Sequence, residues 1–291
     1  MKPIVATLAR SAATILLVAA AVAVALWLWK RYETDPWTRD GRVRADVVRV
    51  TTDVPGLITE VAVHDNQMVK PGDLLFVVDR PRFALLLAQA DAAISSARAT
   101  LAQNRREAQR DLALGDLVAG EVHEQNVARV ATAAAALAQL QAARVSASLN
   151  LQRTSVHATV HGTVTNLDLH PGDYVATGQQ AMALVDTDSL RVEGYFEETK
   201  LVGIHIGDRA IVHLMGEPAA LKGHVESISA GINDNQRGTT GNLLSDINPT
   251  FSWVRLAQRI PVRIRLDTVP TGVRLISGRT ATVTIIPQTQ P

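Results

Sequence analysis

Apolar residues fall into three rhythms along this chain. From Ser11 to Trp29 nineteen residues run without a charge, nearly all of them apolar, between Lys2 and Arg10 on one side and Lys30 and Arg31 on the other. That length predicts one membrane-spanning helix over 11–29, with Trp27, Trp29, Lys30 and Arg31 as anchors at the membrane interface. A cleaved signal peptide ending near Ala23-Val24-Ala25 is the competing reading; the run continues past it through Leu26 to Trp29, which favours an uncleaved anchor. Between Ala84 and Arg153 there is no proline and no aromatic residue, alanine is the commonest residue, and the only glycines are Gly115 and Gly120. This predicts a helical hairpin over 80–153. Leu87, Ile94, Leu101 and Ala108 lie seven apart, with Ala90 and Ala97 between them, the seam of a coiled coil. The second arm starts Val127, Val130, Ala134, Leu137 and loses register near Gln141 and Arg144. Two arms of about 33 residues each give a rod of roughly 50 Å.

Elsewhere the period is two. One alternating pattern occurs twice, 106 residues apart: Gly56, Ile58, Val61, Asn66, Val69, Gly72, Leu75, Val77, then Gly162, Val164, Leu167, Gly172, Val175, Gly178, Ala181, Ala183. His64 and His170 fall in register. Each copy predicts short strands joined by tight turns, with Gly56, Gly72, Gly162, Gly172 and Gly178 at the turns. A sheet this small cannot bury a core alone, so the copies, 53–79 and 154–186, are expected to pair and to close the base of the hairpin. After them, 190–196, 210–214, 223–228, 262–266 and 280–285 alternate as five strands of a small antiparallel barrel over 187–287, with a sixth expected from 45–52 and a polar loop over 233–258. Residues 1–10 read as a short cytoplasmic N-terminus, 30–44 as a linker and 288–291 as a tail.

Composition narrows the function. A net charge of +1 without a dense basic tract argues against nucleic acid as a partner. The absence of cysteine removes disulfides, thiolate metal sites, a cysteine nucleophile and an acylated N-terminal cysteine. The second copy has no lysine between Ala158 and Asp186 and Lys70 sits beside Pro71, which argues against a lipoyl or biotinyl carrier. His157 and His161 have zinc-ligand spacing for a helix, but in a strand four residues span about 13 Å, too far to share one ion. Asp79, Asp186 and Asp188 read as turn residues, and no phosphate loop or nucleophile elbow occurs. The expectation is a protein that is not an enzyme and needs no cofactor or metal.

The order of anchor, half sheet, hairpin, half sheet and barrel resembles the periplasmic adaptor (membrane fusion protein) family of the hemolysin-secretion type over nearly the whole chain. Trp37-Thr38-Arg39-Asp40-Gly41-Arg42-Val43 and the stretch from Asn248 through Trp253-Val254-Arg255-Leu256 to Arg259-Ile260-Pro261-Val262 resemble the adaptor subunit of aromatic carboxylic acid (p-hydroxybenzoic acid) efflux pumps. The resemblance implies a mainly β fold with a split lipoyl-like (barrel-sandwich hybrid) domain, an antiparallel coiled-coil hairpin and a membrane-proximal β-barrel. It implies a single-pass inner-membrane protein, the bulk of it periplasmic, that forms a homo-oligomeric ring. Its partners would be an inner-membrane transporter, an aromatic acid exporter or a major facilitator, and an outer-membrane TolC-like channel. A secretion apparatus or envelope scaffold of the same architecture is the alternative.

Adaptors that dock on such channels often carry an arginine, a leucine seven residues later and a serine four further on. Arg110 and Leu117 fit, while the last position is Glu121. An ionised carboxylate accepts hydrogen bonds and cannot donate them, so Glu121 either meets a basic group on the channel or serves the positive end of the second helix. Arg110, Leu114, Leu117, Val118 and Glu121 are the expected channel contacts at the hairpin tip.

Overall fold

The structure, a computed structural model, describes residues 2–29, 35–114, 119–232, 237–239, 245–247, 257–270 and 272–287, with side chains of 2–13, 237–239 and 245–247 excepted. In chain order the elements are α1 (Lys2–Trp29), β1 (Trp37–Arg44), β2 (Val47–Thr51), β3 (Gly56–Val61), β4 (Met68–Val69), β5 (Leu74–Val78), α2 (Arg80–Leu114), α3 (Gly120–Arg153), β6 (Ser155–His157), β7 (Gly162–Thr165), β8 (Tyr174–Val175), β9 (Gln180–Asp186), β10 (Arg191–Glu197), β11 (Arg209–Leu214), β12 (Ala220–Ile228), β13 (Arg237–Thr239), β14 (Ser245–Ile247), β15 (Arg259–Thr268) and β16 (Thr280–Ile286). They form two compact units, Asp46–Asp188 and Met1–Ala45 with Ser189–Pro291.

The first unit holds two four-stranded sheets, β2-β9-β7-β4 and β6-β5-β3-β8. Each mixes strands from both sequence copies: β3 of the first pairs with β8 of the second, and β4 with β7. The exchange is reciprocal. The Ile58 N–H donates to the Asp173 carbonyl at 2.8 Å and the Val164 N–H, 106 residues on, donates to the Gln67 carbonyl at 2.9 Å. Gly172 N–H reaches the Ile58 carbonyl as Asn66 N–H reaches that of Val164. The core shows the same doubling, with Ile58, Val63, Val69, Phe76 and Val78 buried beside Val164, Leu169, Val175, Met182 and Leu184. Neither half could exclude water from these side chains alone.

In the second unit β1-β10-β15-β12-β11-β16 close a barrel around Val43, Val192, Phe196, Val212, Leu221, Val225, Val262, Ile264, Val283 and Ile285. Closure leaves no free sheet edge. The five strands expected after the second copy are all here. The sixth is not the one expected: Val47–Thr51 pairs with β9 in the sandwich sheet, and the barrel is closed by Trp37–Arg44, within the expected linker. Val43 explains the exchange, because it alternates inward with no exposed surface, whereas Val47 is half exposed.

α1 is helical, and its apolar side chains from Ile15 to Trp29 are exposed, Trp27 and Trp29 among them. No helix among the described residues is long and apolar enough to cross a membrane, so the span expected over 11–29 is not shown. Lys30, Arg31 and most of the 233–258 loop lie outside the described residues.

Candidate docking site at the end of the helical hairpin

α2 and α3 form the hairpin because their seam residues recur alternately three and four apart. In α2 the seam runs Leu87, Ala90, Ile94, Ala97, Leu101, Asn104, Ala108, Asp111, all buried or half-buried, as its heptads predict. Phe83, one turn earlier, is buried in the sandwich core and ties the base of the hairpin to it. In α3 the seam is Asn126, Val130, Ala133, Leu137, Leu140, Ala147 and Leu151, which corrects the sequence reading. Val127 is exposed, and the register continues through the point where it was expected to fail. Arg144 takes a seam position there, its Nε 2.6 Å from Asp91 Oδ1 across the hairpin. Both are about half exposed, so the pair holds alignment more than it adds stability.

Toward the tip the seam turns polar. The buried Asn126 donates a short hydrogen bond to the Asp111 carboxylate and accepts one from Arg129 Nη1 at 3.2 Å, while Asn104 Nδ2 donates to the Arg129 carbonyl at 3.3 Å. Sequence reading missed this layer because it counted only apolar seam positions. Beyond it Arg110, Leu112, Leu114, Glu121 and Val122 are exposed. α3 begins at Gly120 with Ala119 as an N-cap that offers no side-chain hydrogen bond. Glu121 is the acidic residue of the first turn and meets the positive helix end. Arg110 and Glu121 form no ion pair with each other. Leu117 and Val118 lie outside the described residues, so their place at the tip rests on sequence.

The expected turn glycines divide into two kinds. Gly72, Gly172 and Gly178 have positive φ, as expected of turns. Gly56 and Gly162 do not: each opens a strand, and the need for glycine is proximity. A Cβ on Gly162 would lie 2.6 Å from the Val185 carbonyl oxygen, and one on Gly56 would lie 3.0 Å from both Asp79 Cβ and Val78 Cγ1. His64 and His170 are the first residues of equivalent turns, their N–H groups capped by Gln67 Oε1 and Asp173 Oδ2. Their register therefore reflects turn geometry. His161 faces Asp188 at 3.0 Å, and among the described residues no three His, Asp or Glu side chains could hold a metal ion.

Residues 46–187 match the family model described as the RND membrane fusion protein barrel-sandwich hybrid domain, and residues 189–286 match the AAEA-like beta-barrel domain. Among solved structures, the membrane fusion protein Spr0693 of Streptococcus pneumoniae R6 is similar with a TM-score of 0.67 at 18% identity, over 86% of this chain and 98% of that one. ZneB of Cupriavidus metallidurans gives a TM-score of 0.56 at 22% identity, over 87% and 99%. MacA of Actinobacillus actinomycetemcomitans gives 0.57 at 18% identity, over 88% and 82%. At these identities the structures establish a shared fold. The two family matches follow one another along the chain, one on each compact unit: a membrane fusion protein barrel-sandwich hybrid domain and then an AAEA-like beta-barrel domain.

Proposed function

We propose that this chain is the adaptor of a tripartite efflux pump, coupling an inner-membrane transporter to an outer-membrane TolC-like channel and serving the export of small aromatic carboxylic acids. The apolar run 11–29 anchors it in the inner membrane, and several copies form a ring. The observation that carries the reading is the end of the hairpin: Leu112, Leu114 and Val122 are exposed on an element whose seam is already filled by its own two arms. Exposed apolar side chains at the end of a helical pair suit burial against another protein. Arg110 and Glu121 beside them offer one donor and one acceptor group to orient that contact. The two stretches that resemble aromatic acid efflux adaptors support aromatic acids as the cargo class. No catalytic role is proposed, and the driving energy belongs to the transporter.

Replacement of Leu114 by serine, of Leu117 by serine or of Arg110 by aspartate is expected to abolish export of 4-hydroxybenzoate from cells while leaving membrane location and thermal melting unchanged. Cysteines at positions 119–122 should crosslink to the outer-membrane channel or to an adjacent adaptor. Normal export by all three variants, with no crosslink, would overturn the docking role.

A further inference from the structure

The two stretches that resemble aromatic acid efflux adaptors lie more than two hundred residues apart, and the barrel brings them together. Arg259 Nη1 is 2.5 Å from Asp40 Oδ2. They meet at a cavity of about 600 Å3 lined by Trp37, Thr38, Arg39, Asp40, Tyr195, Glu197, Lys200 and Arg259, all within one compact unit.

A β-bulge builds this cavity. Between Thr38 and Gly41, β1 carries one residue more than its partner β16, where Val283 and Ala281 are the matching positions. The Thr38 hydroxyl holds the bulge, donating to the Tyr195 carbonyl at 2.8 Å and accepting the Asp40 N–H at 3.1 Å. In a regular strand Arg39 and Asp40 would point to opposite faces; a bulge re-aims one of them, and here both border the same cavity.

The charges of the lining do not balance. Three cations face two carboxylates, and Asp40 is engaged with Arg259. Lys200, carried on the 3-10 turn Glu198–Gly203, has only 9% of its side chain exposed. Its ammonium has three protons to donate, and its carboxylate neighbour, Glu197 Oε2, is 3.9 Å away. Arg39 has no carboxylate partner among the described residues. Both cations address one indole, Arg39 Cζ at 5.3 Å and Lys200 Nζ at 5.6 Å from the centre of the Trp37 ring. Two cations border one cavity, and an anion entering it neutralises excess positive charge while accepting charge-assisted hydrogen bonds. Tyr195 adds a second aromatic wall; its hydroxyl is engaged by Arg44 Nη2 at 3.3 Å, which raises the Arg44 pKa above its ordinary value and leaves the ring for contact. The volume lies in the range of small-molecule pockets and exceeds what an inorganic anion fills.

We propose that this cavity binds a small aromatic carboxylate, the carboxylate accepting from Arg39 and Lys200 and the ring lying among the aromatic lining residues. A guanidinium fork matches a planar carboxylate better than a point cation would, and the aromatic walls select an organic anion over phosphate. The adaptor is then a cargo-sensing as well as a bridging element. The assignment deepens the export reading above, from which it takes the cargo class.

Titration calorimetry on the full chain in detergent, with 4-hydroxybenzoate, 4-hydroxybenzyl alcohol and inorganic phosphate as probes, tests it. The aromatic carboxylate is expected to bind, and its neutral alcohol and phosphate to bind at least about tenfold more weakly, the range of one charge-assisted hydrogen bond. Arg39→Gln, at an exposed side chain, and Lys200→Met, which keeps the buried stem, should each weaken binding by about tenfold or more with unchanged thermal melting. Lack of binding, equal binding of phosphate, or unchanged affinity in the double variant would overturn the proposal. Those outcomes leave tip-dependent export intact, and loss of the docking role would leave this binding intact, so the two fail separately.

Discussion

At the residue scale, one tetrapeptide turn recurs five times among the described residues: His64-Asp65-Asn66-Gln67, Lys70-Pro71-Gly72-Asp73, His170-Pro171-Gly172-Asp173, Ala176-Thr177-Gly178-Gln179 and His205-Ile206-Gly207-Asp208. In each the third residue has positive φ and the fourth caps the N–H of the first through its side chain. Glycine tolerates that φ without strain, and asparagine at position 66 is the non-glycine substitute that does so at least cost. Asp208 is buried while performing the same task. The strand glycines behave differently under substitution. Gly162→Ala brings Cβ against a backbone oxygen that cannot rotate away, and is expected to lower stability by about 1–3 kcal/mol in a denaturant melt. Gly56→Ala meets Asp79 Cβ and the Val78 side chain at the longer distance of 3.0 Å, and should cost less. Equal losses at both sites would show that proximity is not the reason for glycine.

At the scale of the element, the hairpin shows how a seam can tolerate polar residues. Asp111, Asn126 and Arg129 satisfy one another, so the layer avoids the desolvation penalty that an unpaired buried amide would carry. Such layers fix register at some expense in stability. Asn126→Ala removes the partner of Asp111 and should lower the helical melting transition by the equivalent of about 1–2 kcal/mol. Replacing both Asn126 and Asp111 by leucine should restore or raise the transition, seen by circular dichroism, while allowing crosslinks in shifted registers. A double variant less stable than Asn126→Ala would contradict this account of the layer.

For the whole chain, the two half-motifs share one core and exchange strands, so the hairpin is an insertion into a sandwich that closes without it. Phe83 is buried in that core and Leu151 of the other arm packs against it, and both lie outside the hairpin's outer length. Excision of residues 87–147 with a short glycine linker is therefore expected to leave both β units folded, with a melting transition near that of the full chain, while export is lost. Failure of the excised chain to fold would mean that the hairpin is needed to bring the half-motifs together.

Periodicity alone determined the two-copy sandwich, the helical arms, the α2 seam and five of the six barrel strands, because each depends on which residues repeat at 2 or 3.5 positions. Gly72, Gly172 and Gly178 were legible as turn glycines as well, since the chemistry of a turn is local. Three features were decided by tertiary structure. Trp37–Arg44 and Val47–Thr51 both alternate, and the choice of which closes the barrel follows from Val43 fitting the barrel core. Gly56 and Gly162 looked like turn residues, and only the approach of Val78, Asp79 and the Val185 carbonyl reveals why no side chain fits. The Trp37 cavity joins residues from β1, β10 and β15 with a lysine on the turn between, and no local pattern connects positions 39, 200 and 259. Closure of the barrel sets them side by side, because its register pairs Glu197 with Arg259 and the bulge in β1 turns Arg39 and Asp40 to the same cavity.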